Sequence, residues 1–261
     1  DHAEFLAEVT GCAEAETTDD GTFDSPRCVR YRQGGQGAIT SWGVSLTQPM
    51  PQRFVDICGE DGAVCSERAR TVWQRVIDAA EAAYDRDTTC SLTTFIGFEW
   101  TANTNGANLH RNVIFRNRQV PAQPMNYFDQ PTAEDLWSAL ETECLDAGTG
   151  CEAMAIPHNS NLSNGGIFAP TYPGADTLDA QRTRATQRAR VEPLVEIFQH
   201  KGSSECQNGL SGVFGDPDEL CEVEQLRPAP FEDCGDEIGG LGITAAGCVS
   251  RYDYVRPTLL E

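Results

Sequence analysis

The chain has 261 residues, 39% of them hydrophobic, and 40 acidic against 19 basic side chains, for a formal net charge of −21 at pH 7. That length and apolar content support one large domain with a sizeable core. The acidity excludes a broad basic face for nucleic acid or for an anionic membrane surface; a small anionic substrate stays compatible, because a few local cations or a bound metal ion can dominate one site.

In chain order, "DHAEF" opens the sequence with His2, and residues 13–53 read as loop-rich. Residues 66–87 predict a helix, with Ser66 as N-cap and one apolar face through Val72, Trp73, Val76, Ile77 and Ala80. "SLTTFIGFEW" predicts a strand ending near Glu99, and "NVIFRN" predicts another. "PTAEDLWSALETEC" is a helix capped by Thr132, "EAMAIPHN" a buried strand, "TLDAQRTRATQRAR" a polar helix and "PLVEIFQHKG" a further strand. Helices alternating with strands from 66 to 200 argue for βα units around a parallel sheet or barrel. After residue 200 the chain turns to Gly, Pro, Asp and Cys with little periodicity, which reads as loops pinned by disulfides.

Eleven cysteines without a C-x-x-C favour disulfides over a ribbon-type zinc site. Near neighbours suggest Cys12–Cys28, Cys58–Cys65, Cys144–Cys151, Cys206–Cys221 and Cys234–Cys248, with Cys90 left over, although spacing alone leaves connectivity open. Such usage predicts a periplasmic or extracellular protein, against a cytosolic one with free buried thiols. No membrane span is visible, so no membrane insertion is expected.

Only four histidines occur, at 2, 110, 158 and 200. Glu99, His158 and His200 close predicted strands, His110 follows Glu99 in the next loop, and His2 opens the chain. In parallel α/β folds the C-terminal strand ends carry the site, and imidazole is the commonest metal ligand. Any one of them alone could equally be an ordinary hydrogen-bonded side chain, and the Asn residues of "PHNSNLSNGG" could simply form turns; it is their conjunction that points to a hydrolytic metal site. Such a site would use Glu99 as a bridging carboxylate and an acidified water as nucleophile, with Arg111, Lys201 and Asn side chains on the substrate's anionic oxygens. No H-E-x-x-H, P-loop or EF-hand pattern occurs, and "GLSGV" around Ser211 lacks the last glycine of a nucleophile elbow.

"DHAEF", "GFEWTANTNGANLHRNVIFRN", "IPHNSNLSNG" and "VEIFQHKGSSEC" resemble the domain-of-unknown-function family 3604, which is similar to the PHP (polymerase and histidinol phosphatase) superfamily of metal-dependent phosphoesterases. The resemblance implies an α/β fold, a PHP-like distorted (β/α)7 barrel, with a two- or three-metal site of Zn, Mn or Fe. Asp1 and His2 look like the second PHP motif, Glu99 like the bridging carboxylate and His158 like a later imidazole ligand. His110 lies within the family's own "NLHRN". The opening H-x-H and closing D-x-H motifs of that superfamily are absent, so the chain reads as one partial hydrolase domain over 1–261, an internal fragment whose barrel is incomplete and which on its own binds metal poorly and hydrolyses little.

The expected function is metal-dependent hydrolysis of a phosphoester by a metal-bound hydroxide. Glu99 and His110 are the candidate catalytic residues, and Asp1, His2, Glu99, His110 and His158 the candidate metal ligands. Arg111, Asn112, Asn159, Asn161, His200 and Lys201 are the candidate contacts to a small anionic substrate. The alternatives are a sulfate-ester or amide hydrolase on the same residues, a non-catalytic disulfide-rich extracellular binding module, and a homologue that kept the fold and lost the reaction.

Overall fold

Ser25, Thr132 and Thr177 each satisfy one of the first N–H groups of a helix with a side-chain oxygen. The computed structural model describes residues 2–14, 21–34 and 36–259. In it α1 spans Leu6–Ala13, α2 Pro26–Arg32, α3 Gln36–Ser45, α4 Val55–Cys58, α5 Ala63–Ala83, α6 Ala133–Leu140, α7 Leu178–Val191 and α8 Val255–Thr258. Thr132 and Asp135 close a reciprocal capping box at the start of α6, and Thr177 accepts from Ala180 N at 3.2 Å to cap α7. The long helix starts three residues earlier than its expected cap, after Gly62 in a left-handed conformation. Ser66 lies inside it and donates back to Gly62 O at 3.2 Å, as an interior serine does. Residues 13–53, expected as loops, contain α2 and α3. Ser25 caps α2 by accepting from Cys28 N, and Pro26 sits in its first turn, a start signal the irregular apolar spacing had masked.

The chain divides into two compact units. The first comprises Asp1–Leu46, Met50–Trp100 and Val113–Met154. Its helical part is built on Ala7, Trp42, Ile57, Ala69 and the disulfides Cys12–Cys28 and Cys58–Cys65, with Phe5, Tyr31 and Phe54 packed against them. Phe5 stacks on Phe54 and Tyr31 on Trp42. Helix α5 buries Cys65, Ala69, Trp73 and Ile77 at four-residue spacing, one stripe of a 3.6-residue helix. Trp73 meets Phe98 and Phe115 and donates from Nε1 to Pro121 O at 2.9 Å.

Glu8, on α1, is fully buried. One carboxylate oxygen accepts from Arg53 at 3.2 Å and lies 3.2 Å from Cys58 Sγ, a disulfide sulfur with no proton to donate; the other has no hydrogen-bond partner among the described residues. Burial pushes this carboxyl above its ordinary value, against the pull of Arg53. The folded state then holds the proton at pH values where the unfolded chain has released it, so this group costs stability as pH rises from its ordinary value of about 4. Glu8→Gln should lack that slope: in urea unfolding, the variant's stability relative to the parent should rise from pH 4 to pH 7. A parent that gains on the variant with rising pH would contradict the assignment.

The second unit comprises Thr47–Pro49, Thr101–Asn112 and Ala155–Glu261. It holds α7, α8, several single-turn 3-10 segments and the disulfides Cys206–Cys221 and Cys234–Cys248. One apolar cluster in it joins Leu210, Val249 and Tyr254 with Phe231, and Leu162, Ile167 and Val191 are also buried there. The expected strand "PLVEIFQHKG" pairs over two residues only: β4 (Phe198–Gln199) runs antiparallel to β5 (Gly202–Ser203), with His200 and Lys201 as the turn. Gly202, at φ +89°, supplies a backbone state other residues rarely adopt.

Strands β1 (Ile96–Trp100), β2 (Arg111–Phe115) and β3 (Ala153–Pro157) are hydrogen-bonded in that order. β1 belongs to the first unit, while β2 and β3 each continue from one unit into the other. Arg116 N donates to Glu152 O in the first unit and His158 N to His110 O in the second. Residue numbers rise along β2 as they fall along β3, so these strands run antiparallel. A short 3-10 turn, Thr104–Gly106, lies between β1 and β2 where a βα alternation would place a helix.

The remaining disulfide is Cys144–Cys151, so all five expected pairs form, and Cys90 is free and exposed. Five disulfides mark a protein that folds in an oxidising compartment. No helix among the described residues is long and apolar enough to cross a membrane.

Candidate functional site

In the first unit, alternation along β1 buries Ile96, Phe98 and Trp100 and sends Glu99 to the opposite face. The segment at His2 pairs parallel beside it: His2 bridges Glu99, and Ala3 N donates to Glu99 O at 2.9 Å. His2 Nδ1 lies 3.3 Å from Glu99 Oε2. An imidazole and a carboxylate from chain positions 97 residues apart thus share one strand end. Asp1 lies outside the described residues.

In the second unit, His110 immediately precedes β2 and His158 immediately follows β3. Antiparallel pairing brings these two ends together, with His158 N donating to His110 O at 3.4 Å. Both residues are buried. Their rings sit edge to face at 5.7 Å between centroids, and each offers a ring nitrogen within 4.8 Å of the other's. His110 Nε2 is 2.8 Å from Asn103 Oδ1. When it donates to that oxygen its lone pair is on Nδ1, the arrangement by which a partner fixes the tautomer of a metal-binding imidazole. Asn108 Oδ1 accepts from His110 N at 3.1 Å and holds the backbone at the start of β2.

Asn159 follows His158 in a left-handed conformation, φ +52° and ψ +42°. Its Oδ1 accepts from Gln199 Nε2 at 2.8 Å and from Lys201 Nζ at 3.2 Å, both on the β4–β5 hairpin. Asn161 Nδ2 donates to Lys201 O at 2.9 Å, and Asn161 N to Ser204 Oγ at 3.2 Å. His200 is exposed at the hairpin turn, because this segment reverses after two paired residues; the strand end expected there does not form. Asn112 is half-buried on β2.

Arg111 is engaged elsewhere. Its side chain is 2% exposed. Nε donates to Glu192 Oε1 at 2.9 Å, and Nη1 donates to Leu109 O. Glu192, at the C-terminal end of α7, also accepts from Arg188 on its other oxygen at 2.9 Å. The guanidinium expected on a substrate is thus bound into a buried ion pair.

A second cluster of possible metal-binding atoms, Glu8 with Cys58 and Cys65, fails on chemistry: both sulfurs are spent in a disulfide and no thiolate exists. The sequence reading missed Asn103, Gln199 and Glu192. Asn103 stands in "TANTNG" between Glu99 and His110, a polar loop that could have flagged it; nothing local marks the other two.

No protein with a curated description and no solved structure matches the chain. A family model matches residues 1–261, and the chain belongs to the family described as Protein of unknown function (DUF3604).

Proposed function

We propose that the chain belongs to a metal-dependent hydrolase of phosphoesters, with His110 and His158 as metal-binding imidazoles. The observation that carries this reading is the buried His110–His158 pair, whose ring nitrogens lie within 4.8 Å of each other while Asn103 bonds the first ring. Two converging imidazoles fit Zn, Mn or Fe. The similarity to the PHP superfamily adds Asp1, His2 and Glu99 as further ligands, for two or three ions in a distorted (β/α)7 barrel. Bound ions of this kind supply Lewis acidity and a water of lowered pKa. The chain's own residues orient and bind: Asn103 sets the His110 tautomer, the strand pairing holds both rings at one edge, and Lys201 offers positive charge to a substrate anion. The oxidising compartment is the periplasm or the extracellular space.

The test is metal content by inductively coupled plasma mass spectrometry on the full gene product that carries this sequence. We expect at least one tightly held divalent ion, with His110→Ala, His158→Ala and Glu99→Gln each lowering content at least tenfold while circular dichroism is unchanged. Phosphomonoesters, sulfate esters and amides are then assayed side by side, and we expect phosphoester turnover alone. A parent that holds no ion after incubation with Zn, Mn or Fe salts would remove the hydrolase reading and favour a binding module. Turnover of sulfate esters or amides instead would keep the site and change the bond.

A further inference from the structure

We infer that Asn159 Nδ2 and the Lys201 ammonium form an oxyanion-binding subsite directly beside His158. The orientation of the Asn159 amide is not a free choice. Lys201 Nζ has only protons to give, so the atom it meets at 3.2 Å must be the amide oxygen. Gln199 meets the same atom at 2.8 Å with a nitrogen whose identity is itself set, because that nitrogen also lies 2.8 Å from the Glu196 carboxylate, which only accepts. Two donors therefore lock Oδ1 toward the hairpin, and Nδ2 must face the other way.

That Nδ2 is buried and has no hydrogen-bond partner among the described residues, on a residue 1% exposed. A buried donor left without an acceptor is costly to the fold, and that cost falls on the residue after His158. An amide N–H does not coordinate a metal ion, so the missing partner is a hydrogen-bond acceptor. The neighbouring charge selects its class: Lys201 has two further N–H bonds to give and sits at the exposed hairpin turn. A tetrahedral oxyanion can accept from Nδ2 with one oxygen and from the ammonium with another. Assigning that oxyanion to the phosphoryl group of the substrate rests on the proposed function; the subsite itself stands on the amide geometry.

The probe is inorganic phosphate, titrated calorimetrically into the full gene product with metal content measured on the same sample. Asn159→Asp is the informative variant. It keeps the oxygen that Gln199 and Lys201 bond, tolerates the left-handed backbone, and replaces the Nδ2 donor by an acceptor with one added negative charge, both of which oppose an anion there, while Lys201→Met tests the cation separately. We expect at least a tenfold loss of phosphate affinity in N159D and a several-fold loss in Lys201→Met, with melting temperature and metal content unchanged. Phosphate binding equal to the parent's in both variants would overturn the inference and leave Nδ2 to a bound water. A parent that binds no phosphate would overturn it as well. A metal-free parent whose phosphate binding still depends on Asn159 would sink the hydrolase reading and leave the subsite standing.

Discussion

Asp253→Ala is expected to destabilise the protein by about 3–5 kcal/mol, the cost of leaving a buried charge without its partner. Asp253 is fully buried and accepts on both carboxylate oxygens: from Ser163 Oγ and Gly165 N on one, from Arg227 Nη2 and Ser250 N on the other. Its backbone carbonyl accepts from Ser160 Oγ at 2.7 Å. One side chain thus ties the loop after β3 to Arg227 and to the turn before α8. Arg227, itself buried, also donates to Ala246 O and Cys248 O beside the Cys234–Cys248 disulfide. Truncation removes one charge and strands four donors. Against a total stability of about 5–15 kcal/mol, that is a large share. Asp253→Asn should cost less than alanine and more than nothing, because its NH2 replaces one acceptor and faces two donors. Urea unfolding decides it: a loss under about 1 kcal/mol for Asp253→Ala would show that the node is decoration, since an ordinary hydrogen bond is worth that much.

The second large effect concerns Glu192. Glu192→Gln should destabilise the protein by about 3–5 kcal/mol and Arg111→Met by less, and the double variant Arg111→Met/Glu192→Gln should lose less than the two single losses summed. Arg111 and Glu192 are each 2% exposed at the side chain, so removing Glu192 leaves the Arg111 guanidinium a buried charge without its carboxylate, whereas Glu192 keeps Arg188 when Arg111 is removed. Arg188 adds a second guanidinium, 2.9 Å from the other Glu192 oxygen. A double-mutant cycle in urea gives the coupling, and additive losses would mean that the pair does not interact. The same variants bear on substrate contact. Phosphate affinity in folded Arg111→Met should equal the parent's; a tenfold loss would return Arg111 to the binding machinery.

These two nodes mark where sequence reasoning stops. Thr132 with Asp135, Thr177 and the alternating burial of Ile96, Phe98 and Trp100 depend on neighbours a few positions away, so residue types alone announce them. The disulfides were legible for the same reason, since each closes a sequence separation of 7 to 16 residues. Where a local rule had two readings it misled: Ser66 is as good inside a helix as at its cap, and the apolar spacing of 193–199 does not reveal that the chain turns back at His200.

By itself, then, the sequence determined the family, the Thr132 cap, the near-neighbour cysteine pairs and the set of histidines worth watching, because each rests on short-range pattern or on residues rare enough to count. Only the tertiary structure decided which of those residues meet. Arg111 finds Glu192 across 81 positions, Asp253 reaches Ser163 across 90, and Lys201 reaches Asn159 across 42. No local propensity encodes such pairings; they follow from strand register and chain reversal, which bound Arg111 into a buried ion pair and tied Asn159 to the β4–β5 hairpin.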